Sequence, residues 1–173
     1  MINREQGYTT ELERLVLTAV ENQVNGLPSG TAECYIGPNK GDPRMNAPVF
    51  EIVPTNPKAA RIGGAVLEGE GVTISVGHSR RELGYNLTNA SAVVECASFV
   101  ADICQAVFAG NFAEDINENA GGRIISSSLR LRVRGRVYRL WRNRLITDLV
   151  TITKKKRVIY EPYVTSAPET PLN

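Results

Sequence analysis

The chain has 173 residues, of which 42% are apolar and 22% are charged, values typical of a globular chain with one domain. This composition excludes collagen-like, low-complexity and fully disordered proteins, and the length allows a core that needs no metal or disulfide staples. The net charge of +2 conceals two opposed parts. Residues 1–118 carry eight basic and fifteen acidic side chains, whereas residues 119–160 carry twelve basic side chains and the single acid Asp148.

The first predicted element in chain order is an amphipathic helix from about Thr10 to Asn25. Thr10 and Glu13 have the spacing of a capping box. Apolar residues repeat at helical spacing behind this cap, and Asn25-Gly26 supplies a left-handed stop. We therefore expect one face of this helix to pack on the rest of the fold.

Short β-branched segments follow the first helix, close together and without intervening helices. This arrangement favours antiparallel pairing over β-α-β crossovers. The predicted strands cover about residues 32–36, 49–53, 62–67 and 72–76.

A second helix is predicted over about residues 90–109, capped by Asn89 or Ser91. Its surface is apolar almost all round, which is typical of a helix buried on more than one side or shared with another subunit. The final strands are predicted at about 123–133, 136–142, 145–152 and 157–160. The polar stretch of residues 111–122 shows no strand pattern, and Glu114, Asp115 and Glu118 in it are interpreted as a solvated helix end.

These elements predict a single α+β domain over residues 1–161, with two helices packed on an antiparallel sheet of about five to seven strands. Residues 162–173 contain proline and show no periodicity, so we expect a frayed tail. No run approaches the roughly 18 apolar residues of a membrane span, and the polar start has no apolar segment of a secretory signal. Cys34, Cys96 and Cys104 are too few and scattered for a disulfide framework. We expect a cytoplasmic protein with reduced thiols and no membrane partner.

The basic segment contains an alternating pattern in which Leu129, Leu131 and Val133 are interleaved with Arg130, Arg132 and Arg134. Period two is the signature of a strand with two different faces. A tight turn at Arg134-Gly135 would align this strand with the next one along the chain.

In that register Leu131 lies opposite Tyr138 and Leu129 lies opposite Leu140, which forms an apolar face. The other face places Arg130 directly opposite Arg139, a like-charge pair that is unfavourable by itself. An anion is expected to compensate it. The predicted binding residues are Arg130, Arg132, Arg134, Arg139, Trp141, Lys154, Lys155, Lys156 and Arg157.

Two sources of that anion are open. Acids on neighbouring strands could neutralise the arginines internally, the candidates being Glu33, Glu51, Glu68 and Glu70. An external polyanion could do the same, either an acidic protein or, less favoured, a nucleic acid whose phosphates the arginines neutralise and whose bases stack on an aromatic ring.

His78 is the single histidine and follows a predicted strand, where loops commonly carry function. It could form a small polar site with Arg80, Arg81, Glu82 and Tyr85. No nucleophile motif, phosphate-binding glycine loop or metal-ligand spacing is present, so no catalytic residue, metal or cofactor is assigned.

Three function classes follow from these patterns. The first is a non-enzymatic cytoplasmic interaction domain that binds an acidic protein or nucleic acid through its basic sheet surface. The second is a small enzyme or ligand-binding domain centred on the His78 loop. The third is a self-associating structural protein, and thus a homo-oligomer.

Overall fold

A computed structural model describes residues 1–5, 7–8, 10–38, 48–67, 71–84, 89–143 and 154–164. The described chain contains two helices and ten strands. The helices are α1 (Glu11–Asn25) and α2 (Ala90–Phe108). The strands are β1 (Ile2–Arg4), β2 (Ala32–Pro38), β3 (Pro48–Pro54), β4 (Ile62–Leu67), β5 (Gly71–Val76), β6 (Ser79–Gly84), β7 (Phe112–Glu118), β8 (Ile124–Val133), β9 (Arg136–Asn143) and β10 (Lys154–Tyr160).

All ten strands join one sheet in the order β1-β2-β3-β4-β5-β6-β9-β8-β7-β10. Strand β1 runs parallel to β2, and every other neighbouring pair is antiparallel. The α+β class and the two helices are therefore confirmed, while the predicted count of five to seven antiparallel strands is too low. The predicted strand at residues 145–152 lies outside the described residues.

Three strands went unpredicted: β7 and β6 because inward positions carry polar side chains, and β1 because it has only three residues. In β7 the helix-facing positions are Phe112, Glu114 and Ile116, and the carboxylate in the middle hides the period-two pattern. The interpretation of this stretch as a helix end is wrong. In β6 only Leu83 among the inward positions is apolar. Strand β1 has three residues, held by its pairing with β2 and by the terminal amine, which donates to the Ala32 carbonyl at 2.9 Å.

Helix α1 begins as the sequence predicts. The Thr10 hydroxyl accepts from the Glu13 backbone N–H at 3.2 Å, and the Glu13 carboxylate accepts from the Thr10 N–H at 3.1 Å. This reciprocal box satisfies two backbone donors that the first helical turn would otherwise leave free.

Helix α2 is the central element of the core, packed against α1, β5 and β8. It is long and apolar enough to cross a membrane by length and composition alone, a test that the core helix of a globular protein also passes. Eight of its residues are buried, among them Val100 and Cys104. Asn89 caps it by accepting from the Ala92 N–H at 2.7 Å.

The segment after β10 packs against the body of the fold. Tyr163, which the sequence places in the tail, is buried and donates its hydroxyl to the Ala60 carbonyl at 2.6 Å. Its backbone N–H donates to the Phe108 carbonyl at 3.0 Å. Residues 165–173 of the predicted tail lie outside the described residues.

Candidate binding face

The hairpin of β8 and β9 has the predicted register. Leu131 pairs with Tyr138 on the face toward the helices, and Arg130 pairs with Arg139 on the outer face, opposite the helices. The connecting residues Arg134 and Gly135 have φ angles of 49° and 75°, which a two-residue type I′ turn requires at both positions.

We call the outer side of β6, β9, β8, β7 and β10 the arginine face. Strand alternation and pairing place on it Arg80, Arg130, Arg132, Arg139, Trp141, Lys155 and Arg157. Within the described ranges its acids are Glu82 and Asp115.

Not every predicted residue lies on this face. Arg134 turns toward the helices, where it forms an ion pair with Asp102 and donates to the Ser98 hydroxyl at 2.6 Å. Its positive φ breaks the strand alternation on which the prediction rested. Lys154 and Lys156 are exposed, but they point to the opposite side of β10 from Lys155 and Arg157.

Of the four predicted internal acids, the two that the structure describes do not compensate the arginines. Glu33 and Glu51 lie on β2 and β3, several strands away from β9, and Glu51 pairs with Arg61 at 3.7 Å. Glu68 and Glu70 lie outside the described residues. Within the part of the chain that the structure describes, neither Arg130 nor Arg132 forms an ion pair or a side-chain hydrogen bond.

A groove crosses the arginine face. It consists of two adjoining cavities of about 1090 and 760 Å³, which share Asp115, Asn117, Ser128 and Arg139 in their lining. Its floor is formed by short side chains of β8 and β7, and longer side chains of β9 and β10 stand on either side. One transverse row of the sheet shows this profile: Arg80, Trp141, Ser128, Asp115 and Arg157 are successive register partners.

Large apolar side chains are exposed among these charges. Trp141 is 58% exposed, Val137 60% and Ile159 70%. All three lie on the outer face. Most Trp residues in folded proteins are largely buried. An exposed tryptophan beside arginines is therefore typical of a binding surface, because both residue types are enriched at protein interfaces.

The described residues of the alternative site around His78 do not come together in one pocket. The His78 side chain is exposed in the β5–β6 turn. Arg80 and Glu82 point outward, whereas Arg81 points to the helix side and lies 5.4 Å from the centre of the Tyr138 ring. Arg80, Arg81 and Glu82 line the larger cavity of the groove without His78, and Tyr85 lies outside the described residues.

The sequence did not reveal a polar cluster buried beneath this turn. The Glu114 carboxylate is 0% exposed and accepts from the His78 backbone N–H at 3.1 Å, the Ser79 hydroxyl at 2.6 Å and the Tyr160 hydroxyl at 2.7 Å. Ser79 also lies 3.0 Å from the Ser127 hydroxyl. Burial, and then the hydrogen bond to Glu114, raises the pKa of Tyr160.

Glycine at position 77 leaves room for this cluster. A Cβ atom there would lie 2.6 Å from a Glu114 oxygen and closer still to the Tyr160 hydroxyl. The cluster joins β6, β7, β8 and β10, so it acts as a joint of the fold. The sequence did contain one signal for this cluster. Glu114 lies between Phe112 and Ile116 in a period-two pattern, at a position where a strand would carry an apolar residue.

The cysteines offer no nucleophile or metal site. All three are free and buried, and burial raises the pKa of Cys34 and Cys104 to about 12 and that of Cys96 to about 11. Thiols held protonated are unreactive at neutral pH. In the described ranges no three His, Cys, Asp or Glu side chains are grouped as metal ligands.

Comparisons with protein-family models, with curated proteins and with solved structures find no match for this chain.

Proposed function

We propose that the protein is a non-enzymatic interaction domain whose arginine face binds an acidic protein partner. The observation that carries this proposal is the cross-strand pair of Arg130 and Arg139, which no described acid neutralises. Like charges directly opposite one another destabilise a sheet. A partner's carboxylates would remove that repulsion on binding.

A protein partner is favoured over a nucleic acid by the other side chains of the face. Val137 and Ile159 are exposed aliphatic residues, which contribute to protein interfaces but offer no ring on which a base can stack. At the described outer positions of these strands Trp141 is the single aromatic residue, so they carry no array of stacking platforms. Tryptophan and arginine are the residue types most enriched at the centres of protein interfaces.

Self-association through two copies of the arginine face would bring like charges together. A head-to-tail contact with the acidic residues of a second copy remains compatible with the charge split, and a measured mass in solution separates it from binding of another protein.

The experiment uses poly-L-glutamate as the acidic probe, titrated at two salt concentrations. The test variant carries Arg130→Gln, Arg132→Gln and Arg139→Gln. The matched control carries Arg14→Gln, Lys58→Gln and Arg61→Gln, which removes the same charge from exposed, ion-paired positions elsewhere.

We expect salt-sensitive binding by the wild type and a loss of about tenfold or more in the test variant. The control variant should bind within about twofold of wild type. Equal losses in both variants would show a response to net charge alone, and absence of binding by the wild type would refute the proposal. If single-stranded or duplex oligonucleotides bind more tightly than poly-L-glutamate, the proposal of an acidic protein partner is wrong and the arginine face binds nucleic acid.

A further inference from the structure

The floor of the groove carries two serine hydroxyls whose protons have no acceptor among the described residues. Ser128 accepts from the Arg139 Nε–H at 3.0 Å, and Ser126 accepts from the Asn117 side-chain amide at 2.8 Å. A serine hydroxyl has one proton to donate besides its lone pairs. Among the described residues neither hydroxyl donates to an acceptor, so both protons are available to a ligand.

Cationic side chains beside the serines set the charge of the site. Arg139 holds Ser128 with a cationic donor, and Arg80 and Trp141 stand beside it in the same part of the groove. Donors without acceptors, next to guanidinium groups, are the chemistry that recognises an oxyanion.

The spacing of the serines indicates more than one oxyanion. Ser126 and Ser128 are alternate residues on one side of β8, and alternate residues of a strand are about 6.8 Å apart. The two oxygens of one carboxylate are much closer together than this. Two separate carboxylates on alternate residues of an extended chain have the matching repeat.

The width of the groove also favours an extended ligand. Strands β9 and β10 are separated by β8 and β7, so three strand spacings, about 14 Å, lie between the strands that carry the walls. The wall side chains occupy several ångströms of that width. A helix with its side chains is about 10–12 Å across and would have to displace them.

We infer that Ser126 and Ser128 form paired carboxylate subsites for an extended partner segment with acidic residues at alternate positions. This inference rests on the proposed function, because the segment would belong to the acidic protein that binds the arginine face. Two like charges in the lining of the groove oppose it, Glu82 and Asp115. Asp115 is the register partner of Ser128, and its carboxylate is 3.8 Å from Arg157. Removal of that charge should therefore strengthen binding.

Trp141 provides a direct readout, since the only tryptophan of the chain lines the cavity beside these serines. Two synthetic peptides of identical composition and without aromatic residues are titrated against its fluorescence. One has glutamate at alternate positions with threonine. The other, the block peptide, has its glutamates in adjacent pairs separated by two threonines, so that no two glutamates are two residues apart.

We expect the alternating peptide to bind about fivefold or more tightly than the block peptide. The double variant Ser126→Ala, Ser128→Ala should bind the alternating peptide about tenfold more weakly, because hydrogen bonds to a charged acceptor are lost. Its affinity for the block peptide should be nearly unchanged. Asp115→Asn should increase the affinity of the alternating peptide. A thermal melt of each variant checks that the fold is intact, and Ser128→Ala alone provides a milder change.

Equal affinities for the two peptides, or no effect of the serine substitutions, would overturn the subsites while leaving binding by the arginine face intact. If neither peptide and no poly-L-glutamate binds, the proposed function itself fails. Inorganic phosphate is the competing source of an oxyanion. Displacement of the alternating peptide by phosphate at a lower concentration than by acetate would identify a phosphate site and overturn the assignment to carboxylates.

Discussion

Replacement of Glu114 tests whether the buried cluster is a joint of the fold. Glu114→Ala removes the acceptor of the His78 N–H, the Ser79 hydroxyl and the Tyr160 hydroxyl. Ser79 retains Ser127 as a partner at 3.0 Å, so the part-buried His78 N–H and the buried Tyr160 hydroxyl are left without an acceptor. Each costs about 1–3 kcal/mol, and the vacated volume adds a cavity term.

The expected loss in free energy of unfolding is therefore about 3–6 kcal/mol, a large fraction of the ~5–15 kcal/mol that a domain possesses. Relief of a buried carboxylate's desolvation acts in the opposite direction, so the lower half of that range is favoured. Glu114→Gln keeps the shape and one acceptor oxygen, and the neighbouring hydroxyls can turn to accept from its amide. We expect a smaller loss, about 1–2 kcal/mol.

Urea denaturation followed by circular dichroism measures these losses. The control is Asp115→Asn, an exposed carboxylate on the same strand, for which a change within about 0.5 kcal/mol is expected. If Glu114→Ala does not fold, Glu114→Gln and Tyr160→Phe supply a double-mutant cycle whose coupling energy measures the hydrogen bond. Stability of Glu114→Ala within 0.5 kcal/mol of wild type would refute the reasoning.

Three further predictions concern the core, the turn and the thiols. Val100→Asp should prevent folding, because a buried unpaired carboxylate costs several kcal/mol. The same change at exposed Val94 of α2 should be tolerated, and equal melting temperatures for the two variants would contradict the burial of this helix. His78→Ala should change the free energy of unfolding by less than about 1 kcal/mol in urea melts, because its backbone rather than its side chain holds Glu114. The three buried cysteines have raised pKa values in the folded state. Their contribution to the free energy of unfolding is therefore complete below about pH 8.5, where the thiols of the unfolded chain are protonated. This contribution should fall as the pH rises toward 11, by about 1.4 kcal/mol per pH unit for each thiol. Equal free energies of unfolding in urea at pH 8 and pH 10 would contradict the prediction.

Local signals were sufficient for the helices and for one hairpin. The capping box of Thr10 and Glu13 depends on residues three apart, so it can be recognised without any tertiary contact. The β8–β9 register depends on a two-residue turn and strict alternation, which are also local. Both could be predicted because neighbours in the chain determine them.

The features that could not be predicted from the sequence depend on contacts between residues that are far apart in the chain. Glu114 occupies an apolar position only because His78 and Tyr160 bring donors to it from 36 and 46 residues away. The groove floor depends on the pairing of β7 with β8, and β7 itself was not recognised. Arg134 was assigned to the wrong face because its positive φ takes the side chain out of the strand alternation.

The connection between β6 and β9 has a consequence for how the molecule opens. Within the described residues a single register pair, Arg80 with Trp141, joins these strands, whereas β8 and β9 share eight pairs. Amide protons along this seam should exchange with solvent sooner than those of the β8–β9 ladder, because local opening needs few hydrogen bonds to break. The larger cavity of the groove is lined from both sides of the seam. Slight parting of these two strands would widen the groove, so a ligand that binds there should slow exchange at the seam and leave the distant β2–β3 ladder unchanged.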